Sequence, residues 1–287
     1  MPRPLLPEVR HSSCSYGETS KIGPLAKGIP IGALVGDQQA ALFGQGCYQP
    51  GEMKNTYGTG CFLVMNQGKN YRIPSKGLLG TLACDREGKP CFALEGAVFI
   101  AGAAIQWIRD GLGFIRKASE TEKIARRLPD TGGVIVIPAF TGLGAPYWDP
   151  TVRGAILGLT RGTTKAHLVK ATLESIAYQT ADVFEAMTHG ARIRKPSFLK
   201  VDGGAARNDY LMQFQADLLG IPVIRSERTE LTAWGAAKLA GIQSGLWKVR
   251  DKALDQTRGS KKFYPRMSKR DRRTRLLEWQ RATQRLL

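Results

Sequence analysis

Three glycine-rich turns are the first candidates for chemistry in this sequence. They are Tyr57-Gly58-Thr59-Gly60, Ala101-Gly102-Ala103-Ala104, and the run from Asp202 through Gly203 and Gly204 to Asn208. Glycine has no Cβ, so a backbone there can come close to an anion and offer it N–H groups. A single such turn is an ordinary tight turn; three in one chain point towards a nucleotide phosphate site. Neither GxxxxGK[ST] nor GxGxxG with an acidic residue downstream occurs. Asp37, in Gly36-Asp37-Gln38, stands where an extended run opens into helical residues. A carboxylate there can take a proton from a substrate hydroxyl, and phosphoryl transfer otherwise needs mainly positioning and charge stabilisation. Asp is also a favoured N-cap, and the two roles can coexist. Gln38 adds an amide able to hold a polyol hydroxyl. His11, His167 and His189 are far apart with no Ser-His-Asp pattern around them, so no hydrolase triad is expected.

The elements that must position these residues are readable from periodicity and punctuation. Residues 1–28 are rich in Pro, Gly and Ser and read as an irregular lead-in. Ile29 to Asp37 reads as a strand running into a turn, followed by a helix with Asp37 at its N-cap and Gly46 past its end. Asn55 to Asn66 reads as a hairpin, residues 78–95 as another, Gly96 to Gly111 as a helix and Ser119 to Leu128 as a more polar helix. The apolar run Gly133 to Phe140 suggests a strand buried on both faces. Lys165 to Thr188 is a long helix with Val169, Leu173, Ile176, Val183 and Met187 on one stripe. Strand, helix to Gly220, strand and a small-residue helix over 231–244 follow. Ser268 and Asp271 fit a capping box before a last helix carrying Leu276, Trp279 and Leu286. This alternation predicts an α/β or α+β fold around a mixed sheet.

The 287 residues suit one large domain or two small ones. The most apolar window, Gly96 to Ile108, has 13 residues, short of the ~18–20 that span a bilayer. No membrane span is expected, and the first ten residues have no secretory layout. Five cysteines (14, 47, 61, 84 and 91) without a CxxC pair, beside 3 His, read as reduced thiols of a cytoplasmic protein rather than disulfides or a zinc cluster. The net charge of +18 is uneven: residues 248–287 hold 14 Lys+Arg against 4 Asp+Glu. Such a tail suits an acidic partner, nucleic acid or a membrane surface, but reads first as a solvated helix face. It lacks the interleaved aromatics of a single-strand binder, so nucleic acid is not expected.

Taken together, GDQQAALFGQ (36–45), KNTYGTGCF (54–62), EGAVFIAGAAIQWIRD (95–110), PAFTGLGAPYWDPTVRGAILGLTRG (138–162), ATLESIAYQT (171–180), VDGGAARNDYLMQFQADLLG (201–220) and TAWGAAKLAG (232–241) resemble the FGGY carbohydrate kinases, the glycerol-phosphorylating branch in particular. The resemblance runs from about Leu5 to about Trp247. It implies a ribonuclease-H-like α/β domain of the actin/hexokinase type. Residues 1–46 would end the family's first domain and link it to the second, 47–247 would be the nucleotide-binding C-terminal domain, and 248–287 a basic helical tail. It also implies transfer of the ATP γ-phosphoryl group to glycerol, with Mg²⁺. On that resemblance Asp37 is the catalytic base and a glycerol ligand, Gln38 a second glycerol contact, and Phe62 lies near the substrate. Thr59 approaches the ATP phosphates, Gly102 and Gln106 contact the nucleotide, and Gly204 and Asn208 border the adenosine. Dimers or tetramers are implied as well.

The departures from the family pattern matter. No stretch matches the Asp-x-Gly-Thr type of first phosphate turn, or the Arg, Glu, Trp and Tyr that hold the polyol. The chain is therefore expected to need a separate N-terminal kinase half and to be inactive alone. LAKG (25–28) replaces the Gly-Gly-Thr-Arg of a fructose-1,6-bisphosphate inhibitory site, so that regulation is not expected. Two other readings fit the same residues. One is an FGGY kinase for a different polyol. The other is a non-catalytic half-kinase whose basic tail recruits an acidic partner or nucleic acid.

Overall fold

The computed structural model describes residues 2–74, 77–190, 196–251, 254 and 259–287. A seven-stranded mixed sheet runs through it in the order β3-β4-β2-β1-β7-β8-β9. The strands are β1 (Met53–Tyr57), β2 (Cys61–Gly68), β3 (Leu79–Cys84), β4 (Pro90–Val98), β7 (Leu199–Asp202), β8 (Val223–Arg225) and β9 (Lys261–Phe263). The two expected hairpins are present as β1–β2 and β3–β4. At the centre β1 turns parallel to β7, which is parallel to β8.

Alternation along β1 divides the core into two layers. Met53 and Tyr57, with Leu63, Met65 and Leu94 from the neighbouring strands, pack against α4 (Lys165–Gly190) and α5 (Asp209–Leu219). The predicted α4 stripe is buried throughout. The opposite face lies under α1 (Asp37–Gly44) and α6 (Leu231–Gln243). These two helices cross so closely that a Cβ at Gly44 would strike Leu231 O and one at Gly235 would strike Ala40 O. The small residues of α6 are thus needed for approach. α5 ends as expected at Gly220, in the left-handed region at φ 65°.

Four expectations are corrected. Ile29 to Asp37 forms no regular strand: it pairs antiparallel with the irregular 12–19 segment through isolated bridges, Ser13 with Ala33 and Glu18 with Pro30, and joins neither sheet. The run 133–140 supplies only β5 (Ile135–Ile137), paired with β6 (Ala155–Leu157) in a separate two-stranded sheet. The burial on both faces is as expected: Val134 and Val136 meet Ala171 of α4, and Ile137 and Ala139 face the main core. The helix expected from Gly96 begins at Gly102: residues 96–98 complete β4, where a Cβ on Gly96 would hit Val183 of α4. The helix itself is α2 (Gly102–Gln106), continued by a π-helical turn at Trp107–Gly111. Asp37 is the first residue of α1 rather than its N-cap, a place taken by Gly36.

The polar helix is α3 (Glu120–Arg127). Residues 252–253 and 255–258 of the basic tail lie outside the described residues. The rest of the tail is woven into the fold: β9 closes one sheet edge, and α7 (Lys269–Gln284) is capped by Ser268, whose Oγ accepts from Asp271 N–H at 3.1 Å. Trp279 of α7 is buried, stacks on Tyr178 at 5.1 Å and donates to Asp182 Oδ2 at 2.7 Å.

Candidate functional site

The 57–60 turn is the end of β1, and two further segments are pressed onto it. Gly203, at φ 90°, lies so close to the Tyr57 backbone that any Cβ would collide with Tyr57 O. The ends of β1 and β7 are thereby held together. α2 is docked from the other side. Ala101 N–H and Ala103 N–H donate to Thr59 O at 2.9 and 3.1 Å, and Gly102 N–H donates to Gly58 O at 3.0 Å. A Cβ on Gly102 would come within 2.5 Å of Gly58 O.

The result is one cleft of about 430 Å³. Thr59, Gly102, Gln106, Gly204 and Asn208, five residues read from three distant segments, all line it. Its walls are partly apolar, through Ile105, Ala118, Leu173 and Ala205, and Arg109 and Arg207 lie on it. Sequence reasoning did not assign Arg109, Ser119, Thr121, Glu122 or Leu173 to the cleft, and held Arg207 only as part of the 202–208 turn. The only signal for the first five is membership of the helices that close the cleft.

Two roles differ from the simplest reading of glycine turns. The AGAA amides do not face an anion, because the carbonyls of Gly58 and Thr59 already accept from them; Gly102 serves close packing at the cleft wall. Asn208 is tied into the frame: its Oδ1 accepts from Leu211 N–H at 3.0 Å, capping α5, and its Nδ2 donates to Thr121 Oγ1 at 3.0 Å. Thr59, Gly204 and Ala205 have amides with no backbone acceptor among the described residues. Ala118 and Ser119 on the cleft wall share that property, and unbonded amides of this kind suit phosphate.

Asp37, Gln38 and Phe62 do not line this cleft. They lie beyond the same turn, on the α1 face of the sheet, where Phe62 stands opposite Thr56. Asp37 Oδ1 accepts from Gln38 N–H at 2.7 Å. Gln38 Oε1 accepts from the buried Lys54 ammonium, which also donates to Thr56 Oγ1 at 3.0 Å. Burial pushes the Lys54 amine down to about 8, although Asp202, Glu95 and Asp37 act to hold its proton. Burial likewise raises the carboxyls of Glu95 and Asp202. All five cysteines are free, and among the described residues no group of three or more His, Cys, Asp or Glu converges to hold a metal. No helix there is long and apolar enough to cross a membrane.

Residues 53–244 match the FGGY family of carbohydrate kinases, C-terminal domain. The chain is 53% identical to a glycerol kinase of Carboxydothermus hydrogenoformans over 285 residues, covering 99% of this chain and 57% of that protein. It is 52% identical to glycerol kinase 2 of Thermotoga maritima, covering 100% of this chain and 58% of that protein. The chain thus spans under three-fifths of the length of the curated relatives it matches. Among solved structures, the glycerol kinase of Plasmodium falciparum with ADP superposes with a TM-score of 0.91 at 35% identity, over 99% of this chain and 57% of the other. A xylulose kinase from Brucella ovis shares the fold, with a TM-score of 0.79 at 21% identity. With the mixed sheet flanked by helices and three converging turns, these matches show that the chain belongs to the FGGY family of carbohydrate kinases, of the actin-like ATPase fold, and carries that family's C-terminal domain.

Proposed function

We propose that this chain is the nucleotide-holding part of a glycerol kinase, which moves the γ-phosphoryl group of ATP to glycerol and gives sn-glycerol 3-phosphate. The observation that carries the reading is the convergence of Thr59, Gly102, Gln106, Gly204 and Asn208 on one cleft. Its partly apolar wall accepts a base, and the free amides of Thr59, Gly204 and Ala205 suit phosphate oxygens. The ADP-bound relative and the glycerol kinase names of the near relatives support both nucleotide and acceptor.

Asp37 takes the proton from the glycerol hydroxyl. Its Oδ1 is occupied by the Gln38 amide, which leaves the second oxygen for the substrate. Gln38 and Phe62 border the acceptor on the same side of the 57–60 turn. Mg²⁺ bound with the nucleotide phosphates would neutralise charge in the transfer; among the described residues no three His, Cys, Asp or Glu side chains converge to hold it without them. The rest of the polyol site belongs to a further domain of the kind that makes up the relatives' remaining length, so the chain alone is expected to bind nucleotide and not to turn over.

Calorimetry with ADP tests this, alongside Gly204→Trp, which fills the cleft. Saturable binding lost in the variant supports the reading. A folded wild type that binds no ADP sinks it. Glycerol phosphorylation above background by the pure chain would overturn the expectation that a second domain is needed.

A further inference from the structure

Lysine is rarely buried, yet Lys54 is wholly inside, at 0% exposure, in the middle strand of the sheet. Its row across the strands is Lys54, Val64 and Glu95. Shape alone does not demand a charge here, since replacing a buried ion by well-packed apolar residues is often neutral or stabilising. What the ammonium does is make contacts that no apolar side chain could. It reaches α1 through Gln38 Oε1, and the end of its own strand through Thr56 Oγ1. Thr56 immediately precedes the 57–60 turn, and Gln38 immediately follows Asp37. The groups that face the amine are the carboxylates of Asp37 on α1, Glu95 on β4 and Asp202 on β7, with the Cys47 thiol behind α1. Asp202 Oδ1, level with Thr56 in the parallel pair, has no hydrogen-bond partner among the described residues.

We propose that Lys54 is a positioning residue that fixes the acceptor-holding first turn of α1, through Gln38, to the strand that leads into the phosphate-side turn. The two halves of the site on this chain then keep one spatial relation, whether or not ligands are bound. The assignment of α1 to the acceptor side rests on the glycerol kinase reading above; the tie between Gln38 and Thr56 does not.

The test uses Lys54→Met, which keeps most of the stem and removes the ammonium, and Gln38→Ala, which removes the acceptor from the other end. The first readout needs no ligand: the side-chain amide resonance of Gln38 and its heteronuclear NOE in the full chain. In Lys54→Met the amide is expected to move to an averaged position with a low NOE. A folded Lys54→Met protein whose Gln38 amide keeps its wild-type shift and NOE overturns the proposal. If Lys54→Met fails to fold, Gln38→Ala decides through the ¹⁵Nζ resonance of Lys54. A shifted resonance supports the tie, and an unmoved one refutes it. The second readout is calorimetry, with glycerol affinity falling about tenfold in Lys54→Met, the effect of one lost charge-assisted bond, and ADP affinity held within about twofold. Because the rest of the polyol site lies on a further domain, a wild type too weak in glycerol to titrate leaves the amide comparison to decide the positioning by itself.

Discussion

Asp182 lies in the middle of α4, buried, with Trp279 Nε1–H donating to its Oδ2 at 2.7 Å and Tyr147 OH donating to the same atom at 3.0 Å. It joins the C-terminal helix to the loop after β5. Two neutral donors do not compensate for loss of water, and burial pushes the carboxyl from 3.8 up to about 7, with Glu185 adding repulsion. The folded chain therefore keeps this proton to higher pH than the unfolded chain. Between about pH 4 and pH 7 the native state binds more protons, so the group's contribution to stability falls as pH rises, and it levels off above about 7. The shift is roughly three pH units, and at about 1.4 kcal/mol each it is worth about 4 kcal/mol at most. Asp182→Asn keeps an oxygen for both donors and cannot ionise. The difference in unfolding free energy between variant and wild type, taken from urea titrations at pH values from about 4.5 to about 8, should move in favour of Asn as pH rises. Because the difference cancels other titrating groups, its slope belongs to Asp182. A difference flat in pH, or one that moves in favour of Asp, would refute the assignment of a desolvated carboxyl at this junction.

Further outcomes follow from the packing. Gly102→Ala places a Cβ 2.5 Å from Gly58 O, so the 57–60 turn must shift; ADP affinity measured by calorimetry should drop about tenfold or more. Gly204→Ala meets nothing within 4 Å and should leave the unfolding free energy within about 0.5 kcal/mol of wild type. Asn208→Ala removes the α5 cap and the Thr121 bond together. Denaturant titration should show a loss of about 1–2 kcal/mol, beside weaker ADP binding. Trp279→Ala should lower stability by about 3–5 kcal/mol, seen as a large drop in Tm, because the indole is buried and stacked on Tyr178. A Tm unchanged by that substitution would mean that α7 is not part of the cooperative core.

Much of the frame was legible because local chemistry and global packing agree. The long α4 stripe, the two hairpins, the Ser268 cap and the Gly220 stop are all decided by neighbours in sequence. So were the glycine turns, since only glycine tolerates the approach of Gly102 to Gly58 and of Gly203 to Tyr57. The resemblance also named candidate residues from Asp37 to Asn208, of which Thr59, Gly102, Gln106, Gly204 and Asn208 share one cleft. Tertiary structure decided the rest, through contacts between residues far apart in the chain. It made the AGAA amides helix-docking donors rather than anion ligands, because the Gly58 and Thr59 carbonyls reach them first. It reduced an eight-residue apolar run to the short β5, because only Ile135–Ile137 find a partner strand, in β6. It turned residues 261–263 of a tail that reads as solvated into an edge strand, and Trp279 of the same tail into core. In the sequence Lys54 is one of 42 Lys and Arg residues, with nothing to mark it as buried. Only the seating of α1 over the sheet removes its water and gives its charge the partners Gln38 and Thr56.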